Sequence, residues 1–190
     1  MQNCVCEGVI LDCFPVKSKA GKTYHHIRVK SLIEDGEEDL CFQVEDKISV
    51  SNTPTPVQIT FEVRTLFTRC NTSSYTFLPV LDINPLISIP LENRIQNKAS
   101  NVVRLKDTVY EIRKQHTVRN SHSVHMEFFT IGDLNDSRLP SVSIYKSPQY
   151  DWIKKWMILE VEGVVKSCWN DNYPTPNIGV YPYTVNRSVL

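Results

Sequence analysis

At 190 residues, 41% hydrophobic and 22% charged, the chain has room for one large or two small domains and too much apolar content for disorder. Its 21 basic and 21 acidic residues cancel, so a uniformly basic surface is excluded, while a local charged groove is not. No run approaches the roughly 20 apolar residues that span a bilayer.

The opening MQNCVCEGVILDCF has no basic region and is interrupted by Glu7 and Asp12, so it does not read as an export signal. The expectation is an intracellular protein (cytoplasmic, or held with its partner) without a membrane partner, in a reducing compartment. Cys4, Cys6, Cys13, Cys41, Cys70 and Cys168 are then free thiols. Residues 1–95 hold 9 basic and 12 acidic residues, net −3; residues 96–190 hold 12 and 9, net +3. The acidic excess gathers at Glu34, Asp35, Glu37, Glu38, Asp39, Glu45 and Asp46, which reads as a solvated hairpin loop.

In chain order, short β-branched or aromatic runs of period two dominate, and helical periodicity is nearly absent. Residues 8–14 (GVILDCF) read as a strand, 17–22 (KSKAGK) as a turn, and 23–32 (TYHHIRVKSL) as an alternating strand. After the acidic turn come strand 40–44 (LCFQV), a Pro-bearing spacer, strand 58–68 (QITFEVRTLFT), a polar loop and strand 75–83 (YTFLPVLDI). Residues 86–101 read as a linker between a first unit, 1–85, and a second, 102–190.

The second unit repeats the order: strand 108–112, a polar turn at 118–121, alternating strand 122–131, an Asp-bearing turn, and strands 139–145, 157–167 and 178–185. Gly8 aligns with Thr108, His26 with His125, and residues 59–63 with 157–161, at offsets of 100, 99 and 98. One larger β sandwich with coincidental spacing is the alternative. In the second unit the insert SPQYDWIKKW can start a short helix. There Ser147 would cap, Pro148 would take the first turn, and Tyr150, Ile153 and Trp156 would share one face. Five strands with a variable insert between the third and fourth is the plan of the OB barrel. The fold expected is therefore all-β: two tandem small Greek-key, OB-like barrels.

The strand at 23–32 carries the most chemistry. Alternation places Tyr24, His26, Arg28 and Lys30 on one face and His25, Ile27 and Val29 on the other. A barrel must bury Ile27 and Val29, which leaves a ring and cations outside. OB barrels hold single strands this way: bases stack on rings and Lys or Arg neutralises phosphates. Lys17, Lys19 and Lys22 precede this strand. Arg64 shares a face with Glu62, opposite Phe61 and Val63, and Arg69 and Tyr75 lie in or beside the following loop. In the second unit the offset of 99 sets Glu127 against Arg28, with His125, Glu127 and Phe129 facing outward. Its cations include Arg113, Lys114, His116 and Arg119, while Trp169 and Tyr173 either stack bases from a loop or cover a barrel end.

KAGKTYHHIRV, the acidic turn, LCFQV and ITFEVRTLF together resemble prokaryotic and phage single-stranded-DNA-binding proteins with OB folds. The Gly-Lys-x-Tyr run entering a strand is similar to that of the gene V type of filamentous phages. The resemblance covers residues 8–83. It implies non-catalytic, sequence-tolerant coating of single strands, with DNA favoured over RNA and replication or recombination proteins as further partners. It carries over Lys22, Tyr24, Arg28 and Lys30 as contacts.

Catalytic and metal signals are weak. Cys4-x-Cys6 lacks a second pair and the spacing of structural zinc. His25 and His26, like His122 and His125, fall on opposite strand faces. No phosphate-cradling glycine loop, nucleophile elbow or HExxH is present. The expectation is no enzyme, no metal and no cofactor. The competing class is a structural or assembly protein whose barrels bind proteins, which the neutral charge and the acidic 34–46 stretch favour. A homo-oligomer stays open, because an edge strand can pair subunits while two barrels in one chain can replace a dimer.

Overall fold

A computed structural model describes residues 4–18, 21–32, 39–50, 55–67, 74–90, 102–119, 122–132, 142–169 and 176–188; the side chains of 67, 74, 115–119, 122–126 and 168 are outside it. The described residues are nearly all strand. The first sheet holds β1 (Cys4–Lys17), β2 (Thr23–Ser31), β3 (Leu40–Val44), β4 (Pro56–Phe61) and β7 (Val80–Pro85), in the order β3-β2-β1-β4-β7. A ribbon of β5 (Arg64–Phe67) and β6 (Ser74–Phe77) stands apart from it. β8 (Val102–Arg119), β9 (His122–Ile131), β10 (Val142–Lys146), β11 (Ile158–Cys168) and β12 (Asn177–Ser188) form a closed barrel, β10-β12-β11-β8-β9. No helix among the described residues is long and apolar enough to cross a membrane.

The two sheets share one plan. In each, the first strand pairs with the fourth along its first part and with the second along its later part. In each, the third strand meets the fifth in parallel. In the first sheet this is the bridge Gln43–Pro79, with Gln43 N–H donating to Leu78 O at 2.8 Å; in the second it is Ile144 beside Val180. That is the OB order, with β4 and β11 as fourth strands and β7 and β12 as fifth.

Both first strands also bulge at the same place, between Ile10 and Asp12 and between Val109 and Glu111. Anchored on those bulges, Val109 stands 99 residues after Ile10. Phe129, Ile144 and Val161 stand 102 residues after Ile27, Phe42 and Ile59. None of the expected offsets of 100, 99 and 98 is therefore kept: strand one is offset by 99 and strands two to four by 102. The register sets Phe128 against His26 and Thr130 against Arg28, not His125 and Glu127.

Alternation explains the cores. Cys4, Cys6, Ile27, Val29, Phe42, Ile59 and Phe61 fill the first barrel, where Phe42 and Phe61 meet edge to face at 4.9 Å. Val103, Leu105, Phe129, Ile131, Ile144, Leu159, Val161 and Val180 fill the second. The buried apolar residues of both make one contiguous cluster. Cys4, Cys6, Cys13 and Cys41 are free thiols. Burial pushes the Cys4 thiol up to about 11 and Cys41 up to about 12, so both stay protonated. At Gly8, where β1 passes close under β2, a Cβ would lie 2.5 Å from Val29 Cγ1 and 2.6 Å from the Lys30 carbonyl oxygen, so only glycine fits.

Several expected elements differ, among them strand 75–83, which is divided between β6 and β7, and strand 108–112, which is the longer β8. The run 58–68 is two strands, because the chain leaves the sheet at Glu62–Val63 and re-pairs as β5 with β6; the polar loop expected after it, at 68–73, lies outside the described residues. The turn expected at 118–121 is tighter, with β8 running on to Arg119. The short helix of the second unit is a single 3-10 turn, Pro148–Tyr150, and Ser147 makes no side-chain cap. Tyr150 and Ile153 are buried under the barrel, but Trp156 is 67% exposed with φ 71°. That left-handed turn is held by Trp156 N–H donating to Val109 O at 2.6 Å and Val109 N–H donating to Met157 O at 2.8 Å.

Candidate nucleic-acid interface

The outward face of β2 begins at Lys22, whose ammonium sits 4.9 Å from the centre of the Tyr24 ring. Lys17, at the end of β1, pairs in register beside Thr23 and is exposed. Arg28 and Lys30 are exposed on the same side as Tyr24, while Ile27 and Val29 are sealed in the core.

His26 shares that outward side but is not a surface group. Phe14, its partner on β1, meets its ring edge to face at 6.0 Å, and the Cys41 sulfur lies 3.6 Å from its Nδ1. It is buried, and burial lowers its pKa below the ordinary histidine value. The expectation of an exposed His26 contact is corrected by these cross-strand neighbours.

Arg28 is half free. Its Nε donates to Asp39 Oδ2 at 2.6 Å, and its guanidinium lies 4.9 Å from the centre of the Trp169 ring. Trp169 comes from the β11–β12 connection, and its Nε1–H donates to the Asp39 carbonyl oxygen at 2.6 Å. Trp169 thus rests on the first barrel, beside Asp39 and Arg28. The Arg28 side chain remains 46% exposed.

The β5–β6 ribbon makes the reciprocal reach. Thr65 and Thr76 share a hydroxyl hydrogen bond of 3.0 Å on its inner side, and Ser143 N–H on β10 donates to Thr65 Oγ1 at 3.0 Å. The ribbon thereby lies against β10 and β12 of the second barrel. Each barrel's connection between its fourth and fifth strands thus crosses onto the other barrel. The ribbon's opposite side carries Arg64, Leu66, Tyr75 and Phe77. Tyr75 and Phe77 stack at 5.9 Å with ring planes 10° apart, and Arg64 pairs with Glu62 at 2.6 Å. Partial burial, then the Cys41 thiol beside it, raises the Tyr75 phenol. β6 also touches β3, the strand beside β2.

The chain is similar in fold to the single-stranded DNA binding protein of Thermus aquaticus. The wild-type structure of that protein superposes with a TM-score of 0.51 at 12% identity, over 100% of this chain and 94% of that one. A deletion variant of it aligns at 12% identity with a TM-score of 0.49, over 100% and 95%. No protein-family model matches the sequence, and no curated protein matches it. The likeness is one of fold: all-β, with OB-like barrels. That wild-type structure is of a bacterial protein, and the similarity to the filamentous-phage type stands on the pattern around Lys22 and Tyr24.

Of the expected contacts, Lys22, Tyr24, Arg28 and Lys30 gather on one face, Lys17 is exposed at its end on the Thr23 side, and Arg64 and Tyr75 lie on the ribbon. Lys19, Arg69 and Tyr173 lie outside the described residues, as does the side chain of Arg119. In the second barrel the expected outward face is corrected. Phe129 points into the core, and Glu127 closes the barrel's end with Lys146, at 2.7 Å, and Lys114, at 3.0 Å. Hydrogen bonds from these two lysines hold the Glu127 carboxyl below its usual range. The His125 side chain lies outside the described residues. The outward residues of this region are Phe128, Thr130, Ser143 and Tyr145, and sequence reasoning missed both Phe128 and Tyr145. Among the described residues no group of three His, Cys, Asp or Glu could hold a metal.

Proposed function

We propose that the chain binds single-stranded DNA without catalysis and largely without regard to sequence, along the outward face of β2 and the ring side of the β5–β6 ribbon. The observation that carries the reading is Lys22 over Tyr24, in line with Arg28 and Lys30, on the second strand of an OB barrel. A base stacks on Tyr24, and Lys17, Lys22 and Lys30 take phosphates. Lys19 and Arg69 extend the cationic edge in sequence. Arg28 joins when phosphate replaces Asp39. The fold likeness supports the same reading. We also take residues 1–85 and 102–190 as the two units and 86–101 as their connection.

The test is fluorescence anisotropy with a labelled oligothymidylate at two salt concentrations, beside a duplex of equal length and an RNA of equal sequence. Saturable binding of the single strand, weakening with a log–log slope of about −0.7 per phosphate contacted, is expected. Lys22→Glu with Tyr24→Ala should abolish it. Equal binding of duplex, or no binding at low salt, overturns the reading.

A second reading is an assembly protein that binds proteins through its barrels. Arg28 and Arg64, the two arginines of the face, both already have carboxylate partners within 2.6 Å, which favours it. Absence of oligonucleotide binding at low salt would leave this reading standing.

A further inference from the structure

The outward side of the second barrel carries a row that runs across four neighbouring strands. Arg113 on β8 pairs with Phe128 on β9, and Phe128 with Tyr145 on β10. The parallel match of Ile144 with Val180 brings Tyr181 on β12 next to Tyr145. Phe128 and Tyr145 meet at 6.0 Å with planes 76° apart, and Tyr145 and Tyr181 at 5.7 Å with planes 42° apart. All three rings are half-buried. Gly179 leaves room for the Tyr181 ring, since a Cβ there would touch it at 3.0 Å.

The core does not account for these rings. Phe129, Ile144 and Val180 fill the inward side at the neighbouring positions and are sealed. The next row along, Thr130 and Ser143, is covered by the Thr65–Thr76 side of the ribbon. The ribbon therefore walls one side of the ring row, and its opposite side bears the stacked Tyr75–Phe77 pair. A strand that leaves β2 over the ribbon comes next to Phe128, Tyr145 and Tyr181. At the far end, Lys114 is 79% exposed.

We propose that Phe128, Tyr145 and Tyr181 form a second base-stacking surface for the same single strand, so that one strand runs over both barrels. This rests on the binding reading above. The occupant is a run of bases rather than a protein segment because the row continues the β2 and ribbon surface. Its half-buried rings also present aromatic surface, on which bases stack whatever their sequence.

The experiment uses the full chain with labelled oligothymidylates of about 8 and about 30 nucleotides, lengths that bracket one and two barrels. The wild type should bind the long strand more tightly. Tyr145→Ala with Tyr181→Ala should weaken the long strand by about tenfold or more, as loss of two stacking rings requires. It should leave the short strand nearly unchanged and the salt slope the same. Tyr145→Phe with Tyr181→Phe should keep wild-type binding, because the rings remain. In parallel, ultraviolet crosslinking of the wild type to a bromodeoxyuridine oligonucleotide should yield adducts in 142–146 or 177–188, a readout independent of whether the alanine variant folds. Retained long-strand affinity in the alanine variant, or crosslinks confined to residues 17–30 and 64–77, overturns the second surface and leaves the first intact. Failure of the wild type to bind either length overturns the binding reading itself.

Discussion

The same row of the same fold is built twice in this molecule, with different chemistry. In the first barrel it is Phe14, His26 and Gln43; in the second it is Arg113, Phe128 and Tyr145. Backbone pairing fixes where each side chain stands, down to the bulge that precedes both rows. It does not fix what the row is for. In the first barrel the row is a packed layer that buries a neutral histidine, and the cations stand two residues after it, at Arg28, and four before it, at Lys22 beside Tyr24. In the second barrel the cations have retreated to Arg113 and Lys114, both paired with carboxylates, and rings occupy the row itself. A strand crossing both barrels meets mainly charge on the first and mainly rings on the second.

The largest expected effect tests whether the shared frame carries equal loads. Phe129 and Ile27 stand at matching core positions and are both sealed. Phe129→Ala should cost about 3–5 kcal/mol and Ile27→Ala about 2–5 kcal/mol, read by denaturant midpoints at constant slope. A loss under 1 kcal/mol at either would break the equivalence. Gly8→Ala should cost about 1–3 kcal/mol, since the new methyl group meets the Lys30 carbonyl and Val29 at once. Unchanged stability there would mean that β1 can move away from β2.

The third expectation separates the rows by pH. His26 is held neutral by burial, so its folded pKa lies below its unfolded value of about 6.5. Between those values the unfolded chain binds the extra proton. Stability from this site is therefore complete above pH 6.5 and declines as pH falls toward the depressed folded value. The melting temperature should drop over that window, and His26→Phe, which matches the ring found at Phe128, should flatten the drop. A pH profile identical in the variant would assign the acid sensitivity elsewhere.

The smallest effect on stability sharpens the comparison most. Arg28 and Asp39 form a pair that is 46% and 14% exposed, so Asp39→Asn should change stability by no more than about 1 kcal/mol. It should instead strengthen single-strand binding several-fold and steepen the salt slope by about 0.7, because one more cation becomes available to phosphate. An unchanged slope would show that Arg28 serves only to hold Trp169.

Much of this was legible from residue order. The all-β texture, most strand positions and the in-and-out sorting of Ile27, Arg28, Val29 and Lys30 follow from period-two alternation, since one side of a closed sheet must be apolar. The second barrel's rings were not legible. Phe128 and Phe129 are adjacent and alike, so composition cannot say which faces inward. The arms of the β8–β9 hairpin are longer, with 19 residues from Glu111 to Thr130 against 16 from Asp12 to Arg28, which shifts the alignment by three residues between strands one and two, and an offset carried over from strand one reverses the parity of β9. His26 was sorted to its correct side, but its burial depends on Phe14 and Cys41, contributed by flanking strands. The departure of β5 from β4 carries no Gly or Pro at Glu62–Val63, so the chain reads straight through where the structure divides.

The crossing of the two fourth-to-fifth connections also has a consequence for how the chain can be handled. Trp169 leaves the second half to rest on Asp39, and Thr65 leaves the first half to meet Ser143. A gene cut between residues 90 and 102 should yield fragments that each bare a sticky limb and aggregate when made alone. Co-expressed, the two pieces should find one another and co-purify, like a handshake that survives removal of the sleeve.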